Sequence, residues 1–111
     1  MSRKVFVVNK SAHDYSDAER FGELIYLSNG PMDRYGINAI HRKFEYTLRE
    51  SLEVDYILIC GLTVMNIVAC SIFSSLHGRL NLLLFKSGKY IERNLIIGKE
   101  PCNATTSPAS I

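Results

Sequence analysis

A chain of 111 residues, 47% hydrophobic and 22% charged, makes one domain with one ordinary core and lies far from the low-hydrophobicity signature of disorder. Its formal charge of +2 is too small for the basic stripe that binding a nucleic acid polymer requires. The three cysteines, Cys60, Cys70 and Cys102, show no CxxC spacing and suggest neither a disulfide framework nor a zinc site, so a reducing, cytoplasmic setting is expected.

The start, MSRKVFVVNK, has too short an apolar run for a signal peptide. Lys4 to Val8 is β-branched and apolar on both faces, as in a strand covered on two sides. A dense polar stretch follows, NKSAHDYSDAERFG, within which Ser16-Asp17-Ala18-Glu19 matches the S-x-x-E capping box and predicts a short helix. Glu23 to Leu27 is a second strand, ended by the turn residues Ser28-Asn29-Gly30-Pro31. From Asp33 to Leu52, the residues Ile37, Ile40, Phe44, Leu48 and Leu52 recur at helical spacing with charged residues between them, so an amphipathic helix is expected to lie on the sheet.

Tyr56 to Cys60 reads as a third strand and Gly61 as a turn. Thr63 is a candidate N-cap for an apolar helix that runs to Leu76 or His77 and stops at Gly78, where His77 suits the helix C-terminus. Residues 56 to 76 carry no charge and are long enough to span a bilayer, but Gly61, Thr63 and Asn66 interrupt the run where a strand would hand over to a helix. Buried strand plus buried helix is therefore the reading adopted. Asn81 to Phe85 is a fourth strand, Lys86-Ser87-Gly88-Lys89 a four-residue turn, and Tyr90 to Ile97 an antiparallel edge strand. Arg79, Lys86, Lys89, Arg93 and Lys99 make a mildly basic, solvated end. Residues 98 to 111 lack periodicity and are expected to be a disordered tail, in which Asn103-Ala104-Thr105 is a chance sequon.

Strands alternating with helices imply an α/β fold of residues 1 to 97. The expected form is a small Rossmann-like three-layer sandwich: a mostly parallel sheet of four strands, helices on both faces and an antiparallel C-terminal edge strand. An α+β fold with some antiparallel strands is the alternative. Ligands of such sheets sit beyond the carboxyl ends of the strands, near the point where strand order reverses. Loops meeting there bring Asn9, Lys10, Ser11, His13, Asp14, Asn29, Arg34, Gly61, Thr63, Asn66 and Lys86 to one rim, while the opposite edge has short and plain connections. His13, Asp14 and Arg34 are expected to line one crevice with Gly61 and Thr63.

Gly61 before a helix start offers free N–H groups to an anion, and it is equally the pattern of an ordinary strand-to-helix turn. Neither G-x-G-x-x-G nor G-x-x-x-x-G-K-[ST] occurs, and no cofactor or metal is expected. His13-Asp14 is the one pair suggestive of acid/base work, and a loop stitched by Asx-type hydrogen bonds explains the same residues without catalysis. Asn66, polar in an apolar helix, needs a partner in the crevice or within the fold.

The segments HDYSDAERFG, ICGL, HGRLNLLLF and GKYIERNL together resemble small proteins of tailed bacteriophages over residues 4 to 97. That resemblance implies a phage origin and action inside an infected bacterium or a virion. The reading that follows is a non-catalytic binder of a small anionic ligand, most plausibly a nucleotide such as a host signalling nucleotide. The alternative is a homo-oligomer or docking subunit using the apolar second helix, whose Leu62, Val64, Met65, Val68, Ile72 and Phe73 cover more than one face.

Overall fold

The structure, a computed structural model, describes residues 2–98. Strands β1 (Lys4–Val7), β2 (Glu23–Tyr26), β3 (Tyr56–Leu58), β4 (Arg79–Lys86) and β5 (Lys89–Ile96) form one sheet in the order β2-β1-β3-β4-β5. The first four are parallel and β5 runs antiparallel to β4. The mostly parallel α/β sandwich with an antiparallel edge is thus the observed architecture.

Side-chain alternation divides the sheet between two cores. Phe6, Val8, Ile57 and Leu80 face helices α1 (Ile37–Leu48) and α2 (Thr63–His77), which pack together on that face. Helix α1 contributes Ile40, Phe44 and Leu48, at i, i+4 and i+8, and α2 contributes Met65, Val68, Ala69, Ile72 and Phe73. Each of these side chains larger than alanine contributes roughly 1.5–3 kcal/mol by leaving water. Helix α2 buries one side against α1 and β4, while its Ile67 and Leu76 stay exposed.

The other face is covered thinly. Val5, Val7, Leu58 and Leu83 lie under Tyr15, Ala18 and the buried Tyr90, and the covering layer is one 3₁₀ turn, Ser16–Arg20, in place of a second helical layer. This turn grips the edge strand: Asp17 Oδ2 accepts the Tyr90 N–H at 2.7 Å, and Arg20 Nη2 donates to the Tyr90 carbonyl at 2.6 Å. Both outward-pointing backbone groups of Tyr90 are satisfied there, which blunts one end of an otherwise open edge.

Local differences from the sequence expectations have identifiable causes. The capping box does not form, because Asp14 Oδ1, two residues earlier, accepts the Ser16 N–H at 2.9 Å and Ser16 makes no side-chain cap. Helix α1 is shorter than residues 33 to 52: Asp33 accepts the Tyr35 and Gly36 N–H groups in a turn before it, and Asp55 Oδ2 takes the Leu52 N–H at 2.7 Å after it. Thr63 is not the N-cap of α2; extended Leu62 holds that position without a side-chain bond. The turn between β4 and β5 is two residues long, with Ser87 at φ 52° and Gly88 at φ 83°, as a type I′ hairpin requires. Helix α2 ends as expected at Gly78 in the left-handed conformation.

No helix among the described residues is long and apolar enough to cross a membrane. The tail expected from residue 98, with Cys102 and the sequon at Asn103, lies outside the described residues apart from Gly98.

Candidate functional site at the reversal of strand order

Chain order and sheet order part company between β1 and β3: from β1 the chain passes to β2 on one side, while β3 pairs on the other. Loops leaving such neighbours diverge and leave a gap at their carboxyl ends. Asn9 follows β1 and Cys60-Gly61 follow β3, and the two turns touch. The Asn9 N–H lies 3.5 Å from Cys60 Sγ, and the Cys60 thiol donates to the Asn9 carbonyl at 3.4 Å. Gly61 has φ +79°, and a Cβ there would stand 3.1 Å from Asn9 Cβ, so both conformation and space favour glycine.

Hydrogen bonds fix the walls of this gap. The buried Ser28 hydroxyl donates to the Val8 carbonyl at 2.7 Å and lies 2.8 Å from the Asn9 amide oxygen. Lys10 N–H donates to the Ser28 carbonyl and the Lys10 carbonyl accepts from Gly30, so the loops after β1 and β2 continue as a parallel bridge. Tyr15, buried on the thinly covered face, donates its hydroxyl to the Asn9 carbonyl at 3.0 Å and accepts from Ser11 Oγ at 2.9 Å. Burial raises the Tyr15 phenol above its ordinary range, which keeps it a donor. Asn66 Oδ1 accepts the Cys60 N–H at 3.0 Å and its Nδ2 donates to the Leu62 carbonyl at 3.0 Å, stapling the turn before α2.

Between these walls lies a cleft of about 440 Å³, lined by Asn9, Lys10, Ser11, Gly30, Pro31, Met32, Arg34, Gly61 and Leu62. A second hollow, of about 470 Å³, adjoins it through Arg34 and Leu62 and is walled by Tyr35, Ile37, Thr63, Val64 and Ile67. Together they make a cationic cleft with an apolar annexe, and neither lining contains an acid. Asp17 with Arg20 is the one ion pair among the described residues, so Lys10 and Arg34 have no carboxylate partner there. The Lys10 ammonium lies 5.0 Å from the Tyr26 ring.

Of the residues expected at one rim, the structure gathers Asn9, Lys10, Ser11, Arg34 and Gly61 in the cleft and sets Thr63 in the annexe. The expected meeting of His13 and Asp14 with Gly61 does not occur. The His13 ring packs edge-on against Phe85 at 4.8 Å and Tyr15 at 5.1 Å, drawn to the aromatic hairpin on the other side of the loop. Asp14 is occupied with Ser16, and that backbone hydrogen bond is the chief cause holding its carboxyl below the ordinary range. His13 and Asp14 thus have different partners, and no hydrogen bond joins their side chains among the described contacts. Asn29 stays exposed on the bridge, Asn66 turns into the fold, and Lys86 ends β4 opposite Lys89 at the hairpin tip. Sequence reasoning missed the apolar lining, of which the NGPMDRYGI segment was the available signal. It also missed that the amino edge is not plain: a polar recess of about 210 Å³ lies there.

No group of three or more His, Cys, Asp or Glu among the described residues could hold a metal ion. Fold and cleft together define a small, mostly parallel α/β domain with a cleft, cationic but largely apolar-walled, at its single strand-order reversal. The model of the family described as Phage Pam3 gp32-like protein matches residues 3–97, and the chain belongs to that family. This agrees with the phage origin that the resemblance implied. Comparison with curated proteins and with solved structures finds no match in either.

Proposed function

We propose that this phage protein binds a small anionic ligand, a nucleotide, in the cleft at the strand-order reversal and holds it without turnover. Its setting in this reading is the cytoplasm of an infected bacterium, where it would withdraw a host signalling nucleotide from use. The observation that carries the reading is the convergence of Lys10 and Arg34 on one cleft beside Gly61, with no acid in the lining. Phosphate oxygens suit the two cations, and the annexe with Tyr35, Ile37 and Val64 suits the flat apolar surface of a base. Neither His13 nor Asp14 is in the lining, so this reading gives them no part in holding the ligand.

A thermal-shift and calorimetric panel of mononucleotides, dinucleotides and cyclic nucleotides tests this. At a hundredfold excess over Kd, a true ligand stabilises by about 2.7 kcal/mol. Lys10→Ala with Arg34→Ala should remove that gain while leaving the ligand-free melting unchanged. No stabilisation by any nucleotide refutes the reading.

One observation favours a second reading, an interaction module. Leu84, Leu95, Ile96 and Ile97 are exposed on and beside β5, whose edge is clamped only at Tyr90 among the described contacts. Self-association in sedimentation velocity, weakened by Leu95→Lys, would support it. A monomer at every concentration would remove it.

A further inference from the structure

The recess at the amino edge of the parallel strands has a different chemistry from the cleft. Arg3, Tyr56, Arg79, Glu53, Glu92 and Asn94 surround it, contributed by the segment before β1, the α1–β3 loop, strands β3 and β4, and β5, which supplies the last two. Two guanidinium groups and two carboxylates therefore share one small hollow without forming an ion pair.

Neutral partners hold the two guanidiniums and Glu92 here. Arg3 Nη1 donates to the Tyr56 hydroxyl at 2.8 Å, with the guanidinium 5.9 Å from the ring centre. Arg79 Nε donates to Asn81 Oδ1 at 3.0 Å, and Asn94 Nδ2 donates to the same oxygen at 2.9 Å and lies 3.3 Å from Glu92 Oε2. Asn81 is 3% exposed and is itself anchored, donating to the Glu53 and Asp55 carbonyls at 2.7 and 2.8 Å. The framework is built on a buried, fully bonded amide and is not a dent in a solvated surface.

One buried group in it is left over. Tyr56 is 2% exposed; its hydroxyl accepts from Arg3, but its own proton makes no hydrogen bond among the described residues. A buried donor without an acceptor costs free energy comparable to a lost hydrogen bond, so its position on the recess wall calls for an acceptor from outside the chain.

We propose that this recess is a second ligand site, for a small zwitterion of amino-acid type. A carboxylate would take the Tyr56 proton and the free guanidinium donors of Arg3 and Arg79, and an ammonium would lie between Glu53 and Glu92. A hollow of about 210 Å³ has room for about seven waters at roughly 30 Å³ each, which matches a free amino acid with a small side chain. The site is independent of the carboxyl-edge cleft, and neither reading depends on the other.

Titration of the full chain with each of the twenty L-amino acids, followed by NMR at the side-chain amides of Asn81 and Asn94, tests the assignment. Acetate, ethylammonium and inorganic phosphate serve as partial probes. The expected result is saturable shifts at those amides with at least one amino acid, and binding of each partial probe at least about tenfold weaker, since it keeps the charge-assisted bonds of one end only. Arg3→Gln, Glu92→Gln and Tyr56→Phe should each weaken the amino acid about tenfold, with backbone spectra showing the fold intact. The proposal is overturned by an absence of saturable shifts, by phosphate or acetate binding as tightly as the amino acid, or by Glu92→Gln leaving affinity unchanged.

Discussion

The two ends of one sheet make a useful contrast. At the carboxyl edge the strand order reverses, the walls are loop backbone pinned by Ser28, Tyr15 and Asn66, and the cleft carries only positive charge. At the amino edge the recess is framed by strand and loop residues, pinned by the Asn81 amide, and carries both signs. Topology accounts for the first, because diverging crossovers leave a gap whatever the residues are. A single buried polar side chain accounts for the second. A fold can thus shape one hollow by its connectivity and another by one amide placed in an apolar strand.

The largest expected effect comes from removing that amide. Asn81→Ala strips the Glu53 and Asp55 carbonyls of their donor and frees Arg79 and Asn94, so unfolding in urea should show a loss of about 3 kcal/mol, with the carboxyl-edge cleft unaffected. A loss near zero would mean the amino edge is not held this way. At the other end, Asn66→Ala removes bonds to the Cys60 N–H and the Leu62 carbonyl. It should cost roughly 1.5 kcal/mol and also weaken any ligand of the cleft, because Gly61 loses its support.

Titration should separate the two edges as well. His77, at the end of α2, shares a hydrogen bond with Ser51 at 2.8 Å, and burial lowers its pKa against the opposing pull of Asp55 and Glu53. A histidine whose folded pKa is depressed favours the neutral form. Its contribution is present above the unfolded value of 6.5 and is lost as pH falls from there through the folded value. On the carboxyl side, Asp14 and Asp17 are held below 3.8 chiefly by backbone hydrogen bonds from Ser16 and Tyr90, so their contribution fades only below that value. Melting followed against pH should therefore show an early decline that His77→Gln abolishes and a late one that it spares. Smallest of all, Ser16→Ala should change stability by less than about 0.5 kcal/mol, since the Ser16 side chain caps nothing.

What the sequence displayed and what it hid follows the same division. Strand positions and the parallel sheet with its antiparallel edge were legible because apolar runs of β-branched residues, helical spacing and glycine turns are local signals; the strand order, and so the place of the reversal, was not, because it depends on which strands pair. Nor was the fate of the loop side chains. Nothing local says on which side of the sheet a loop folds, and His13 went to the aromatic hairpin because Phe85 and Tyr90 offered rings there. The capping box lost to Asp14, a competitor that the four-residue pattern does not include. Asn81 read as the first residue of a strand, and the recess around it escaped notice because its six other polar side chains come from separated segments with no motif among them.

The central claim, an anion cleft at the reversal of strand order, is tested most directly by a nucleotide titration followed through the backbone N–H signals of Lys10, Arg34 and Gly61. Saturable shifts confined to those residues and their neighbours, lost in Arg34→Gln, are the predicted result. Nucleotide-induced shifts centred on His13 and the β4–β5 hairpin, or no shift at any site with any nucleotide, would contradict it.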